Sequence, residues 1–154
     1  MKLTISLLLF FALAALYSCE NSLSSENEIK ISSFDSDESH NAGKDCINCH
    51  KNGGEGEGFF QIAGTIYNTS GTSITNGATV KLYTQANGGG TLVKTIQQDK
   101  NGNFYSTENI DFSGGLYPVI VSSNSNLKYM PESTTNGACN SCHNGVKEIK
   151  LKIN

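Results

Sequence analysis

An all-β sandwich, carried between two short cysteine- and histidine-bearing segments, is the architecture this sequence predicts. Three observations predict it. Between Phe59 and Ser123, apolar and polar residues alternate over short runs, the period of half-buried strands. Asn-Gly and Gly-Gly signals separate those runs at the spacing of sandwich turns. Apolar residues make up only 37% of 154 residues, so a single modest core is all the chain can build.

Met1-Lys2 supplies a short positive start, and Leu3 to Leu16 is almost entirely Leu, Ile, Phe and Ala. A transmembrane helix needs roughly 20 apolar residues, so this shorter run reads as an export signal over residues 1–18. Leu16-Tyr17-Ser18-Cys19 resembles the bacterial lipoprotein processing site, which implies cleavage before Cys19 and lipid on that residue. Ordinary secretory cleavage, leaving Cys19 as a stray thiol, is the alternative. Residues 19–41 are rich in Ser, Asn, Asp and Glu and read as a lipidated flexible tether. About 20 residues of such coil would span roughly 25 Å. A partly folded arm around Ile29-Lys30-Ile31 stays open.

Residues 42–58 form the first motif-bearing segment and residues 59–126 the sandwich. Its strands are expected at Phe60–Tyr67, Thr79–Tyr83, Leu92–Ile96, Phe104–Ser106 and Leu116–Val121. Asn76-Gly77, Asn87-Gly88-Gly89-Gly90, Asn101-Gly102 and Gly114-Gly115 separate them. Pro118 favours an edge strand or a bulge. Residues 127–145 form the second motif-bearing segment, with Leu127-Lys128-Tyr129 a candidate sixth strand. Residues 146–154 read as a final strand, with an amphipathic helix as the alternative. Ala63-Gly64-Thr65-Ile66-Tyr67, Gly77-Ala78-Thr79-Val80-Lys81-Leu82 and Asp99-Lys100-Asn101-Gly102-Asn103-Phe104 resemble, in that order, the carboxypeptidase regulatory-like (transthyretin-like) domain family. The resemblance implies a Greek-key sandwich over roughly residues 59–123.

The pentapeptide C-x-x-C-H occurs twice, as Cys46-Ile47-Asn48-Cys49-His50 and Cys139-Asn140-Ser141-Cys142-His143. This spacing is the attachment signal for c-type haem. Two thiols take the two vinyl groups, and the adjoining histidine binds the iron from one face. Two full matches use four of the five cysteines and two of the three histidines in the chain. The expected cofactors are therefore two covalently bound haem c groups, held by Cys46, Cys49, Cys139 and Cys142, with His50 and His143 as iron ligands. A four-cysteine zinc site and a pair of disulfides are the competing readings.

Second iron ligands follow by subtraction. His40 is the remaining histidine, and Met130 is the one methionine left after signal removal. At most one haem can then carry two histidines. His40 has enough chain to serve either haem. An exposed linker histidine and a plain core methionine are the bland alternatives. The order of haem motif, sandwich and haem motif looks like small exported dihaem cytochromes with such an insert. That resemblance implies an electron carrier rather than an enzyme, with redox proteins as partners and a lipid-anchored place at the bacterial cell envelope.

Removing residues 1–18 removes one lysine and no acid, leaving 10 Lys against 14 Asp and Glu, a net charge of −4. With no arginine and no basic patch, nucleic acid is not an expected partner. Asp99, Asn101 and Asn103 begin like a calcium loop, but Gly102 is misplaced and Ile110 stands at position twelve, so a hairpin turn is expected. Glu55 and Glu57 among glycines 53–58 read as a hinge. A haem-based small-ligand sensor and a surface adhesion module with structural cysteines are the alternative functions. Oligomerisation and the stacking of copies into a chain of haems stay open.

Overall fold

The computed structural model describes residues 28–71, 74, 76–143 and 152–153. It is mainly β, with two short flanking helices, in a sandwich-like arrangement. Its strands are β1 (Ile62–Thr65), β2 (Tyr67–Asn68), β3 (Thr79–Gln85), β4 (Gly89–Gln97), β5 (Asn103–Ser106), β6 (Tyr117–Val121), β7 (Leu127–Tyr129), β8 (Gly137–Ala138) and β9 (Lys152–Ile153). The helices are single turns, α1 (Cys46–Cys49) and α2 (Cys139–Cys142). One sheet runs β4-β3-β6-β7, another β5-β1-β8, and β2 pairs with β9. Among the described residues no helix is long and apolar enough to cross a membrane. The expected export signal and Cys19 lie outside the described residues, as does most of the expected final strand.

The core comes from the strand alternation. On β3, Val80 and Leu82 are buried while Thr79, Lys81 and Tyr83 are less so. They cluster with Ile62, Ile96, Phe104 and Ile120 from other strands and with Ile66 between β1 and β2. The β3–β4 connection is tight because Asn87 and Gly88 both take positive φ, 58° and 73°. Asn-Gly adopts that conformation most readily.

Three local expectations change. Pro118 sits on β6, an inner strand between β3 and β7, and not at an edge. The sheet accommodates it as the second residue of its strand, where its carbonyl accepts a hydrogen bond from the Met130 N–H at 3.0 Å. The Asp99–Asn103 turn does not fold β4 back onto β5. It carries the chain from one sheet to the other, because β4 pairs with β3 and β5 pairs with β1. Asp99 Oδ1 holds this corner by accepting from the N–H groups of Asn101 and Asn103 at 3.0 and 2.9 Å.

The third change concerns the stretch read as tether. From Glu28 onward it is bonded to the body as a partly folded arm. Ile31 bridges Ser106, and Ser32 donates its N–H to the Tyr105 carbonyl. Asn101 Nδ2 then donates to the carbonyls of Asp37 and Ser39. The arm thereby covers the free edge of β5 and delivers His40 to a fixed position.

Leu82 is 0% exposed and Leu127 is 51% exposed. Leu82→Ala is expected to cost about 2–5 kcal/mol through lost burial and a residual cavity. Leu127→Ala should stay within about 0.5 kcal/mol. Urea denaturation of the two variants checks the difference.

Candidate functional site

Both C-x-x-C-H motifs adopt the same local structure. The two cysteines bracket one helical turn, and the histidine N–H closes on the first cysteine's carbonyl at 2.9 Å in each: His50 to Cys46 and His143 to Cys139. Residues three and four apart on a helix share a face. One turn therefore presents two thiols and an imidazole to the same side. Each turn opens onto a cavity, about 540 Å³ at the first motif and about 350 Å³ at the second. Both volumes fall in the range of small-molecule and cofactor pockets.

The first cavity contains Cys46, Cys49, His50 and His40. His50 Nδ1 lies 2.8 Å from the Glu57 carbonyl oxygen. A carbonyl only accepts, so Nδ1 carries a proton, and in the neutral ring Nε2 keeps its lone pair. Segment 51–58 is folded back to make this contact. Gly56 donates its N–H to the Cys49 carbonyl at 2.9 Å, and Phe60 donates to the His50 carbonyl at 2.9 Å. A Cβ at Gly56 would stand 2.7 Å from His50 Nδ1, and one at Gly54 would run into the Cys49 carbonyl. Gly54 and Gly56, within the stretch read as a hinge, are thus required by close approach. Phe60 stacks on the His50 ring at 4.2 Å and 3°, and Tyr105 stacks on Phe60 at 4.8 Å. The His40 and His50 ring centres are 5.9 Å apart. An imidazole nitrogen sits about 2 Å from a bound first-row metal, so two imidazoles sharing one ion have ring centres roughly 6 Å apart. The His40–His50 separation equals that spacing, with the rings tilted at 44°.

The second cavity contains Cys139, Cys142, His143 and Met130. Met130 is fixed by its N–H bond to Pro118, so the β6–β7 ladder delivers the methionine as the arm delivers His40. Each motif therefore meets one of the two remaining candidate ligands, His40 at the first and Met130 at the second. Phe104, 1% exposed, lines both cavities.

A buried polar network joins the two motifs. Asn140, inside the second motif and 1% exposed, donates from Nδ2 to the Lys44 carbonyl at 2.8 Å and to Thr65 Oγ1 at 3.0 Å. Its Oδ1 accepts from the Thr65 N–H at 3.1 Å. Thr65 Oγ1 also accepts from the Gly43 N–H and donates to Asn103 Oδ1. Asn103 Nδ2 in turn donates to the His40 carbonyl at 3.2 Å. Residues next to the first motif, the second motif and His40 are all tied to one threonine on β1. Asn140, Thr65, Asn103, Gly56 and Phe60 were not singled out in the sequence as site residues. Nothing in the spacing marks these roles, since Asn140, Thr65 and Asn103 act through partners distant in the chain, and Gly56 and Phe60 through a loop folded back on His50.

The four described cysteines are free thiols. Among the described residues no group of three or more His, Cys, Asp or Glu is gathered to hold a metal ion by itself, so the cysteines do not converge on a zinc-type cluster. Burial pushes the Cys139 thiol up to about 12, and burial followed by the nearby Asp45 carboxylate raises that of Cys46. Cys49 and Cys142 are exposed. No protein-family model matches this chain, and comparison with curated proteins and with solved structures finds no match.

Two expectations follow for the protein without cofactor. Alkylation at mildly alkaline pH, followed by mass spectrometry, should modify Cys49 and Cys142 first and Cys139 last. An unfolded cysteine ionises near about 8.5, whereas folded Cys139 stays protonated to about 12. Its contribution to folding is therefore neutral below the lower value, and stability falls as pH rises through that window. Denaturation midpoints of the wild type and Cys139→Ala across this range check the sign, the variant losing less. Asn140→Ala strands the Thr65 N–H, removes the amide donor to the Lys44 carbonyl, and should cost on the order of 3 kcal/mol. Asn48→Ala, at an exposed position of the first motif, should be near neutral by the same measurement.

Proposed function

We propose that this chain is a dihaem c-type cytochrome that carries electrons at the bacterial cell envelope. The observation that carries the reading is the pairing of each C-x-x-C-H turn with a cavity containing one further candidate ligand. Cys46 and Cys49 would hold the first haem, with His50 and His40 on its iron. Cys139 and Cys142 would hold the second, with His143 and Met130. When bound, each haem would supply a reversible one-electron couple.

The chain's own residues do the rest. Glu57 keeps His50 in the tautomer with Nε2 available. Phe60 fixes the plane of its ring. The Thr65–Asn140 network holds both attachment turns against β1, so transfer between them needs no domain motion. The sandwich, read as a carboxypeptidase regulatory-like (transthyretin-like) domain, serves as scaffold and docking surface for redox proteins. Export by residues 1–18 and lipidation of Cys19 complete the proposal. The lipid gives a membrane anchor, and two or more acyl chains make such anchoring stable.

The test is a pyridine haemochrome spectrum with intact mass, on protein exported in cells equipped for cytochrome c maturation. Two covalently retained haems are expected, falling to one in Cys139→Ser/Cys142→Ser. Matured protein with no covalent haem would discard the reading. Carbon monoxide added to the reduced protein separates carrier from sensor. A carrier with both irons doubly ligated leaves the spectrum unchanged, and His40→Ala should open one iron to the gas.

A further inference from the structure

Among the described residues, the two cavities are lined by opposite net charge. Around the first stand four carboxylates, Glu38, Asp45, Glu55 and Glu57, against two ammonium groups, Lys30 and Lys44. Lys30 is itself paired with Glu57 at 3.2 Å. The excess is two negative charges. Around the second, among the described residues, stand Lys128 and Lys152 and no carboxylate, an excess of two positive charges. Any propionates arrive in equal number at both sites and leave this difference intact.

We infer that the second site has the higher reduction potential, so that electrons enter at the first motif and leave at the second. This rests on the dihaem reading proposed above and fixes its direction. Reduction adds one negative charge to a site. Surrounding carboxylates oppose that addition and surrounding ammonium groups favour it, by Coulomb's law at partly solvated distances. The candidate ligands act in the same sense. A histidine–methionine pair raises the potential of a haem relative to two histidines, and Met130 lines the second cavity while His40 lines the first. Wall charge and ligand identity are independent features of the chain, and both order the sites the same way. With both groups bound, one electron would pass from the reduced first site to the oxidised second, the first being oxidised as the second is reduced. One-electron redox proteins act as donor and acceptor.

Spectroelectrochemical titration of the full two-haem protein tests the ordering. Two one-electron waves are expected. Lys128→Glu/Lys152→Glu should lower the upper wave, and Met130→Leu should lower it further while preserving side-chain volume. Glu38→Gln/Glu55→Gln, at exposed positions, should raise the lower wave. Reversed assignment, waves that every variant moves alike, or an upper wave indifferent to Met130→Leu would overturn the ordering and leave the two-haem reading standing. Matured protein without covalent haem would overturn both.

Discussion

Everything at the candidate site hangs on a buried amide meeting a buried hydroxyl. Asn140 uses both amide hydrogens and its carbonyl oxygen, and Thr65 Oγ1 both donates and accepts, so neither side chain is left short of partners. A polar group removed from water costs free energy unless it is bonded. In the pocket next to β1 the observed arrangement bonds all of them. That arrangement places residue 140 of the second motif against residue 44, just ahead of the first. The network is therefore a geometric constraint more than a source of stability. It lets two motifs separated by 88 residues lie against one strand of the sandwich.

β1 is the strand on which this works. It is buried along its whole length, flanked by β5 on one edge and β8 on the other, and contacted by both helical turns. Close approach is paid for in side chains. A Cβ on Gly64 would press into Phe104 and stand 3.0 Å from Cys139 Cβ, and one on Gly137 would strike the Gln61 carbonyl. Glycine at both positions lets β8 lie parallel to β1 and hand the chain directly into α2. The same economy appears at the first motif, where glycines 54 and 56 let the following loop reach back and orient His50.

Much of the fold was legible because it is local. The alternation at Thr79–Tyr83 and Leu92–Ile96 and the Asn87-Gly88 turn become the β3–β4 hairpin. Leu127-Lys128-Tyr129 becomes β7, the sixth strand that was in question. Pro118 misled because its ring bars a donor only at its own residue, so an inner strand tolerates it near its start. The Asp99 turn misled because a turn signal states that the chain reverses, not which strand receives it. The arm from Glu28 reads as polar coil because its bonds are to the backbone and side chains of β5 and its flanking turn, and such bonds require no apolar pattern.

The sequence by itself determined the chemistry on offer: two sets of paired thiols with an adjacent imidazole, one spare histidine, one spare methionine and a sandwich between them. Those follow from spacing along the chain, which covalent geometry fixes. Only the tertiary structure decided that His40 lies beside the first motif and Met130 beside the second, and that both motifs share one strand. Counting antiparallel strands could not settle the second point. The deciding element is β8, two residues long and parallel to β1, and its pairing is set by glycine sterics and a buried hydrogen-bond network assembled from four distant segments.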